Sequence, residues 1–146
     1  MKIRHGFVSN SSSSSFIVIN TVAPSIVPDY KGQNITINSN FGECEFGWEP
    51  ELIDDFGSKV CFALIQARYL DDSRGDEKHK EMVLSVLKKH TGAESVTVEL
   101  NDKNSYIDHQ SAAYEGCNTD IFESKNYMYH FLFGSRSYIQ VDNDNY

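Results

Sequence analysis

The stretch Val60-Cys-Phe-Ala-Leu-Ile-Gln-Ala67 decides the fold class of this chain. Apolar residues recur at positions 60, 63, 64 and 67, which is the i, i+3, i+4, i+7 spacing of an amphipathic helix. The apolar face also includes Cys61, Phe62 and Ile65. Because the face is so wide, we expect other elements to cover most of the helix. The sequence therefore predicts a central, buried helix, and Ser58 is its predicted N-cap residue.

The segments around this helix predict two further helices and a set of short strands. Asp76 is the expected cap of a second helix that stops at Gly92, and Ser124 caps a third that stops at Gly134. Alternating apolar and polar residues predict strands at 16–19, 33–38, 43–46, 95–100, 106–110 and 137–141. We expect the second and third strands to form one hairpin, and the fourth and fifth strands to form an antiparallel pair.

This element order favours an α+β fold. We expect an antiparallel or mixed sheet of about five to six short strands, with about three helices packed on one face. A chain of 146 residues is the usual size of one domain. We therefore assign residues 16–146 to a single α+β domain and residues 1–15 to a serine-rich N-terminal arm, because serine and asparagine favour turns and loops.

The chain is acidic, with 21 Asp and Glu against 13 Lys and Arg and a formal net charge of −8 at pH 7. This balance argues against direct nucleic-acid binding, which needs a basic surface. Polar residues follow the basic start, where a signal peptide is apolar, and no apolar run approaches the roughly 20 residues of a membrane helix. We expect a cytoplasmic protein that does not contact a membrane.

The segment Tyr106-Ile-Asp-His-Gln-Ser111 contains the densest set of chemically active side chains. One hypothesis makes His109 a general acid or base, with Asp108 or Tyr106 assisting and Cys117 nearby as a nucleophile. On a regular strand Asp108 and His109 point to opposite faces, so this site requires the strand to end or bulge there. The alternative is an ordinary hydrogen-bonded histidine at a polar strand end.

The remaining reactive side chains predict no metal or cofactor site. Cys44, Cys61 and Cys117 are too few to pair completely and show no C-x-x-C spacing, so a disulfide scaffold is not expected. The histidine and cysteine spacings do not match zinc motifs, and no phosphate-binding glycine motif occurs. The adjacent carboxylates Asp54-Asp55 and Asp71-Asp72 are interpreted as solvated groups, with 71–76 as a turn.

The segment Gly6-Phe-Val-Ser-Asn-Ser-Ser-Ser-Ser-Ser-Phe16 resembles an N-terminal signature of many small uncharacterised proteins of large tailed phages and of bacteria. One group of them is also similar in further short stretches, namely Asp55-Phe-Gly-Ser-Lys59, His90-Thr-Gly92, Tyr106–Ser111, Phe131-Leu-Phe-Gly134 and Ser137-Tyr-Ile139. The resemblance implies a phage-type accessory protein in a bacterial cytoplasm, and it transfers no catalytic residue. It also makes the serine run a candidate processing or recognition tag.

Three functional hypotheses follow from these observations. The first is binding to a host or defence protein through an acidic surface rich in tyrosine, although the same tyrosines are equally consistent with half-buried positions. The second is a hydrolase or transferase that uses the site centred on His109. The third is a structural or packaging role in which the serine-rich arm is cleaved or docked. The tyrosines concerned are Tyr106, Tyr114, Tyr127, Tyr129, Tyr138 and Tyr146.

Overall fold

A computed structural model describes residues 14–46, 51–107 and 120–142 of the protein, and side chains within 17–46, 51–107 and 120–140. In these residues the chain forms three helices and seven short strands, which confirms the predicted α+β class. The elements are β1 (Ser14–Val18), β2 (Asn34–Ile37), β3 (Glu45–Phe46), β4 (Glu51–Ile53), α1 (Phe56–Arg74), α2 (Lys78–Thr91), β5 (Ser95–Val98), β6 (Tyr106–Ile107), α3 (Lys125–Phe133) and β7 (Tyr138–Asp142).

Helix α1 is the centre of the molecule, as the sequence predicts. Every residue from Ser58 to Ala67 is buried, because α2 and α3 pack against this helix. The predicted N-cap at Ser58 is wrong. The cap is Asp55, whose carboxylate accepts a hydrogen bond from the backbone N–H of Ser58 at 3.0 Å. The Ser58 hydroxyl instead accepts a bond from the N–H of Glu43, a tertiary contact that the local pattern does not contain.

The ends of α2 and α3 follow mostly local signals. Helix α2 ends at Gly92 with a φ of 78°, the left-handed conformation that glycine adopts readily. Ser124 caps α3 by accepting a bond from the N–H of Tyr127, and α3 ends at Gly134, as predicted. The predicted cap at Asp76 is wrong, because the N-cap position of α2 is Glu77 and its side chain makes no capping bond.

The strands form three small sheets whose pairing differs from the predicted hairpins. Strand β2 pairs in parallel with β5, and β3 pairs in parallel with β6. Alternation within a segment shows that it is a strand but not which partner it takes, and a parallel pair requires a long connection. Helices α1 and α2 lie within the connection from β2 to β5 and within that from β3 to β6, and the two expected hairpins are wrong.

The third sheet contains the first and last described strands, β1 and β7, together with β4, and it packs on the core. Its central strand, β7, pairs antiparallel with β1 on one side and with β4 on the other. Ile17, Ile139 and Ile53 lie in register across it and pack on the core. None of the described helices has the length and hydropathy needed to cross a membrane.

Candidate functional site: an acidic pocket at the α1–α2 corner

A pocket of about 180 Å³ lies where α1 meets α2, beside the end of β5. Leu64, Arg68, Asp71 and Asp72 contribute from α1, because positions i, i+4, i+7 and i+8 lie along one face of a helix. The turn after α1, the first turn of α2 and the chain after β5 complete the wall with Asp76, Glu77, Lys80, Val98 and Leu100. Two helices and a strand therefore hold the pocket in place.

The pocket combines an apolar lining with an excess of negative charge. Leu64 is 5% exposed, and Val98 and Leu100 are half-buried, so these three side chains supply the apolar part of the lining. Four carboxylates and two cationic side chains line it. Asp72 and Glu77 are exposed, whereas Asp76 is half-buried and accepts a bond from the N–H of Lys78. The pocket thus offers hydrocarbon contact beside accessible carboxylates.

One of the two cations that line the pocket, Arg68, contacts several neighbouring groups. Its guanidinium donates to the backbone carbonyl of Ser105 at 2.8 Å and to the Ser105 hydroxyl at 3.1 Å. Its Nε lies 3.6 Å from a carboxylate oxygen of Asp102, and the guanidinium lies over the ring of Tyr69. Asp102 lies outside the pocket wall and offsets part of the charge of Arg68, and Lys80 is the second cation of the lining, so the pocket carboxylates remain in excess.

Asp71 has a structural role at the back of the pocket. The carboxylate is buried and accepts backbone N–H bonds from His79 at 3.0 Å and Lys80 at 2.9 Å, in the first turn of α2. Burial acts to raise the pKa of Asp71, but these bonds and the imidazole of His79 outweigh it, so the pKa is lowered. The expectation that Asp71 is a solvated turn residue is wrong: α1 extends to Arg74, and Asp71 caps α2 from a distance.

Asp71, Asp76 and His79 form the one group within the described ranges whose ligand atoms lie close enough to hold a metal ion, within 4.8 Å of one another. These residues do not suit a cation. Both oxygens of Asp71 accept hydrogen bonds from α2, and Nδ1 of His79 lies 2.7 Å from one of them. A metal would have to displace these bonds beside the positive end of a helix. We therefore assign the Asp71 carboxylate to capping of α2, with the His79 imidazole as its hydrogen-bond partner.

The size of the pocket limits its ligand. Sites for drug-sized molecules and cofactors usually enclose about 300–1,000 Å³. A pocket of about 180 Å³ is too small for a nucleotide and is suited to a single extended side chain. The apolar side chains and the carboxylates of the lining together favour a ligand side chain whose apolar stem ends in a positive charge.

The predicted catalytic residues are only partly described. Tyr106 lies in β6, and its hydroxyl donates a bond to a carboxylate oxygen of Glu45 at 3.2 Å across the β3–β6 pair. Asp108, His109 and Cys117 lie outside the described residues. The hydrolase or transferase hypothesis centred on His109 therefore stays a prediction.

The tyrosine-rich surface is not a feature of the described residues. Tyr127, 39% exposed, is the one exposed tyrosine in the ranges that the structure describes. Tyr129 is half-buried and packs against His90 and Phe133, and Tyr106 and Tyr138 are also half-buried. Tyr114 and Tyr146 lie outside the described part of the chain. The pocket at the α1–α2 corner is a charged concave surface that the sequence did not predict.

Comparisons with known proteins add no relative: no protein-family model, curated protein or solved structure matches this chain.

Proposed function

We propose that this protein is a small phage-type accessory protein of a bacterial cytoplasm that binds a host or defence protein, and that the acidic pocket receives a lysine or arginine side chain of that partner. The resemblance of the segment Gly6–Phe16 supports the phage and bacterial context. The observation that carries the binding site is the combination of three apolar side chains with exposed carboxylates in the pocket between α1, α2 and β5.

A lysine or arginine side chain matches both parts of the pocket. Its methylene stem removes hydrocarbon of Leu64, Val98 and Leu100 from water, and its charged head remains near the exposed carboxylates. Asp72 and Glu77 are the accessible anions, because Asp71 is buried and hydrogen-bonded. An anionic ligand is disfavoured, since the four carboxylates of the lining outnumber its two cationic side chains, Arg68 and Lys80.

The wider charge of the protein favours the same class of partner. A formal net charge of −8 attracts a basic surface over the Debye length of about 10 Å at 0.1 M salt. Charge complementarity of this kind accelerates association and excludes acidic competitors more than it adds affinity. The partner is therefore expected to present a basic residue from a positively charged patch, and binding is expected to weaken as salt is raised.

The proposal is tested by site-specific photo-crosslinking in the bacterial host. The photoreactive residue p-benzoylphenylalanine replaces Glu77 at the rim of the pocket, or Glu94, directly before β5, as the matched exposed acidic control. We expect a discrete protein adduct from position 77, absent from position 94, whose cross-linked partner peptide carries a lysine or arginine at the contact. The adduct should disappear when Asp72→Asn is added.

Three results would overturn the proposal. The first is no adduct at position 77. The second is the same adduct at position 94. The third is an adduct that persists with Asp72→Asn and whose partner peptide contains no basic residue.

A further inference from the structure

Two buried thiols face each other in the core. Sγ of Cys44, just before β3, lies 3.1 Å from Sγ of Cys61 in α1. Both are free cysteines, 5% and 0% exposed. Cys44 also lies 3.4 Å from the carbonyl oxygen of Gly42, an acceptor that holds its side chain in place. The two cysteines are 17 positions apart in the sequence, so only the fold brings them together.

One of these two thiols borders the solvent. A second pocket, of about 200 Å³, is lined by Ser39, Gly42, Glu43, Cys44, Glu45 and Asn104. Cys61 is not part of its wall and lies behind Cys44, on the central helix. A small reagent that enters this pocket therefore meets Cys44 first.

We propose that Cys44 and Cys61 are a redox site at which a small neutral hydroperoxide converts the two thiols to an intramolecular disulfide, Cys44 being attacked first and Cys61 resolving. The Cys44 sulfur takes the distal oxygen of the peroxide: an S–O bond forms and the O–O bond breaks. The remaining oxygen leaves as water or an alcohol after taking the thiol proton. The sulfur of Cys61 then displaces the hydroxyl group from Cys44, which leaves as water with the Cys61 proton.

The charges at the entrance select the oxidant. Glu43 and Glu45 are exposed on either side of Cys44, so their carboxylates disfavour anionic oxidants such as glutathione disulfide. Burial is the main cause that raises the pKa of the Cys44 thiol, and the same two carboxylates add to it. The thiolate fraction at neutral pH is therefore small, and oxidation is expected to be slow and to follow sustained exposure to peroxide.

Closing the bond requires little movement of the fold. A disulfide has an S–S length of about 2.0 Å, so the two sulfurs need to approach by about 1 Å. The bond would tie the segment before β3 to the central helix. For a loop of this length the constraint on the unfolded chain corresponds to a rise in Tm on the order of 10 °C.

The experiment uses the full chain in a Cys117→Ser background, because Cys117 is the third thiol. The reduced protein is treated with hydrogen peroxide or with glutathione disulfide at neutral pH and then digested for mass spectrometry. We expect peroxide to give a Cys44–Cys61 linked peptide that dithiothreitol reverses, together with the rise in Tm, and glutathione disulfide to give far less of it.

Two further variants separate the roles of the thiols. With Cys61→Ser added, peroxide should leave a sulfenic acid on Cys44 that dimedone traps. With Cys44→Ser added, Cys61 should remain unmodified, since it is 0% exposed and does not line this pocket. The proposal is overturned if the folded protein forms no linked peptide, if the link forms only in urea, or if Cys61 is oxidised equally well without Cys44.

Discussion

Nδ1 of His79 lies 2.7 Å from a carboxylate oxygen of Asp71, which joins the last turns of α1 to the first turn of α2. Ionised Asp71 only accepts hydrogen bonds, so Nδ1 carries the proton. The backbone carbonyl of Asp71 also accepts the N–H bonds of Gly75 and Asp76 that end α1. One residue therefore ends one helix and begins the next, and it fixes the corner that forms the acidic pocket.

The first prediction concerns this link. Asp71→Asn should lower the free energy of unfolding by about 1–3 kcal/mol, because it weakens bonds to buried donors. Asp72→Asn, one residue further on and exposed, is the matched control and should change it by less than about 0.5 kcal/mol. Urea denaturation measures both. Equal effects of the two substitutions would show that the Asp71 carboxylate does not hold the corner.

The second prediction is the pH dependence of the same residue. The pKa of Asp71 is lower in the folded protein than its ordinary value, so the folded state favours the ionised form. Its contribution to stability is complete above the unfolded pKa of about 3.9 and is lost as the pH falls through the folded pKa. The stability difference between the natural protein and Asp71→Asn should therefore shrink in acid. A difference that is independent of pH below 4 would contradict the lowered pKa.

The third prediction concerns Lys59, which is 2% exposed and donates hydrogen bonds to the carbonyls of Gly134 and Ser137, each at 2.9 Å. Burial lowers its pKa from 10.5 to about 8, although Asp54 and Asp55 act in the opposite direction. Since the unfolded chain binds this proton more tightly, stability should rise with pH between about 8 and 10.5. The full change is about 3 kcal/mol.

The contribution of Lys59 is measured as the free energy of unfolding of the natural protein minus that of Lys59→Met at each pH. The difference removes titrations that both proteins share, including those of the two buried cysteines. Lys88→Met removes the same charge from an exposed position and is the control for net charge. A difference that stays constant from pH 7 to 11 would show that Lys59 keeps its ordinary affinity for the proton.

The fourth prediction tests the close approach of two glycines. A Cβ at Gly57 would lie 2.1 Å from the carbonyl oxygen of Phe41, and one at Gly42 would lie 2.4 Å from the backbone of Gly57. Gly57→Ala should therefore destabilise the protein by about 1–3 kcal/mol. Helix propensity alone predicts the opposite sign, a gain of about 1 kcal/mol. Chemical denaturation decides between them, and Ser73→Ala, exposed on the same helix, is the control.

The sequence predicts features that depend on neighbouring residues and misses those that depend on distant ones. The burial of Val60–Ala67, the stop at Gly92 and the cap at Ser124 all follow from local spacing and local hydrogen bonds. The parallel partner of β2 depends on how α1 and α2 cross the core, which alternation along a strand does not encode.

The candidate site was missed for the same reason. Asp71 lies in an acidic stretch that is typical of a solvated turn, and only the position of α2 makes it a buried cap. The register of Leu64, Arg68 and Asp71 on one helix face was present in the sequence, but the opposing wall at Val98 was not predictable. The approach of Cys44 to Cys61 likewise depends on the placement of β3 against α1.

The most direct test of the proposed pocket is an amide NMR titration with Nα-acetyl-arginine methylamide, using the neutral and nearly isosteric citrulline derivative as control. We expect saturable shifts at Asp72, Glu77 and Val98 with the arginine compound, which weaken with added salt and are lost in Asp72→Asn/Glu77→Gln. Equal shifts with the citrulline compound, or arginine shifts confined to other parts of the protein, would contradict a pocket for a cationic side chain.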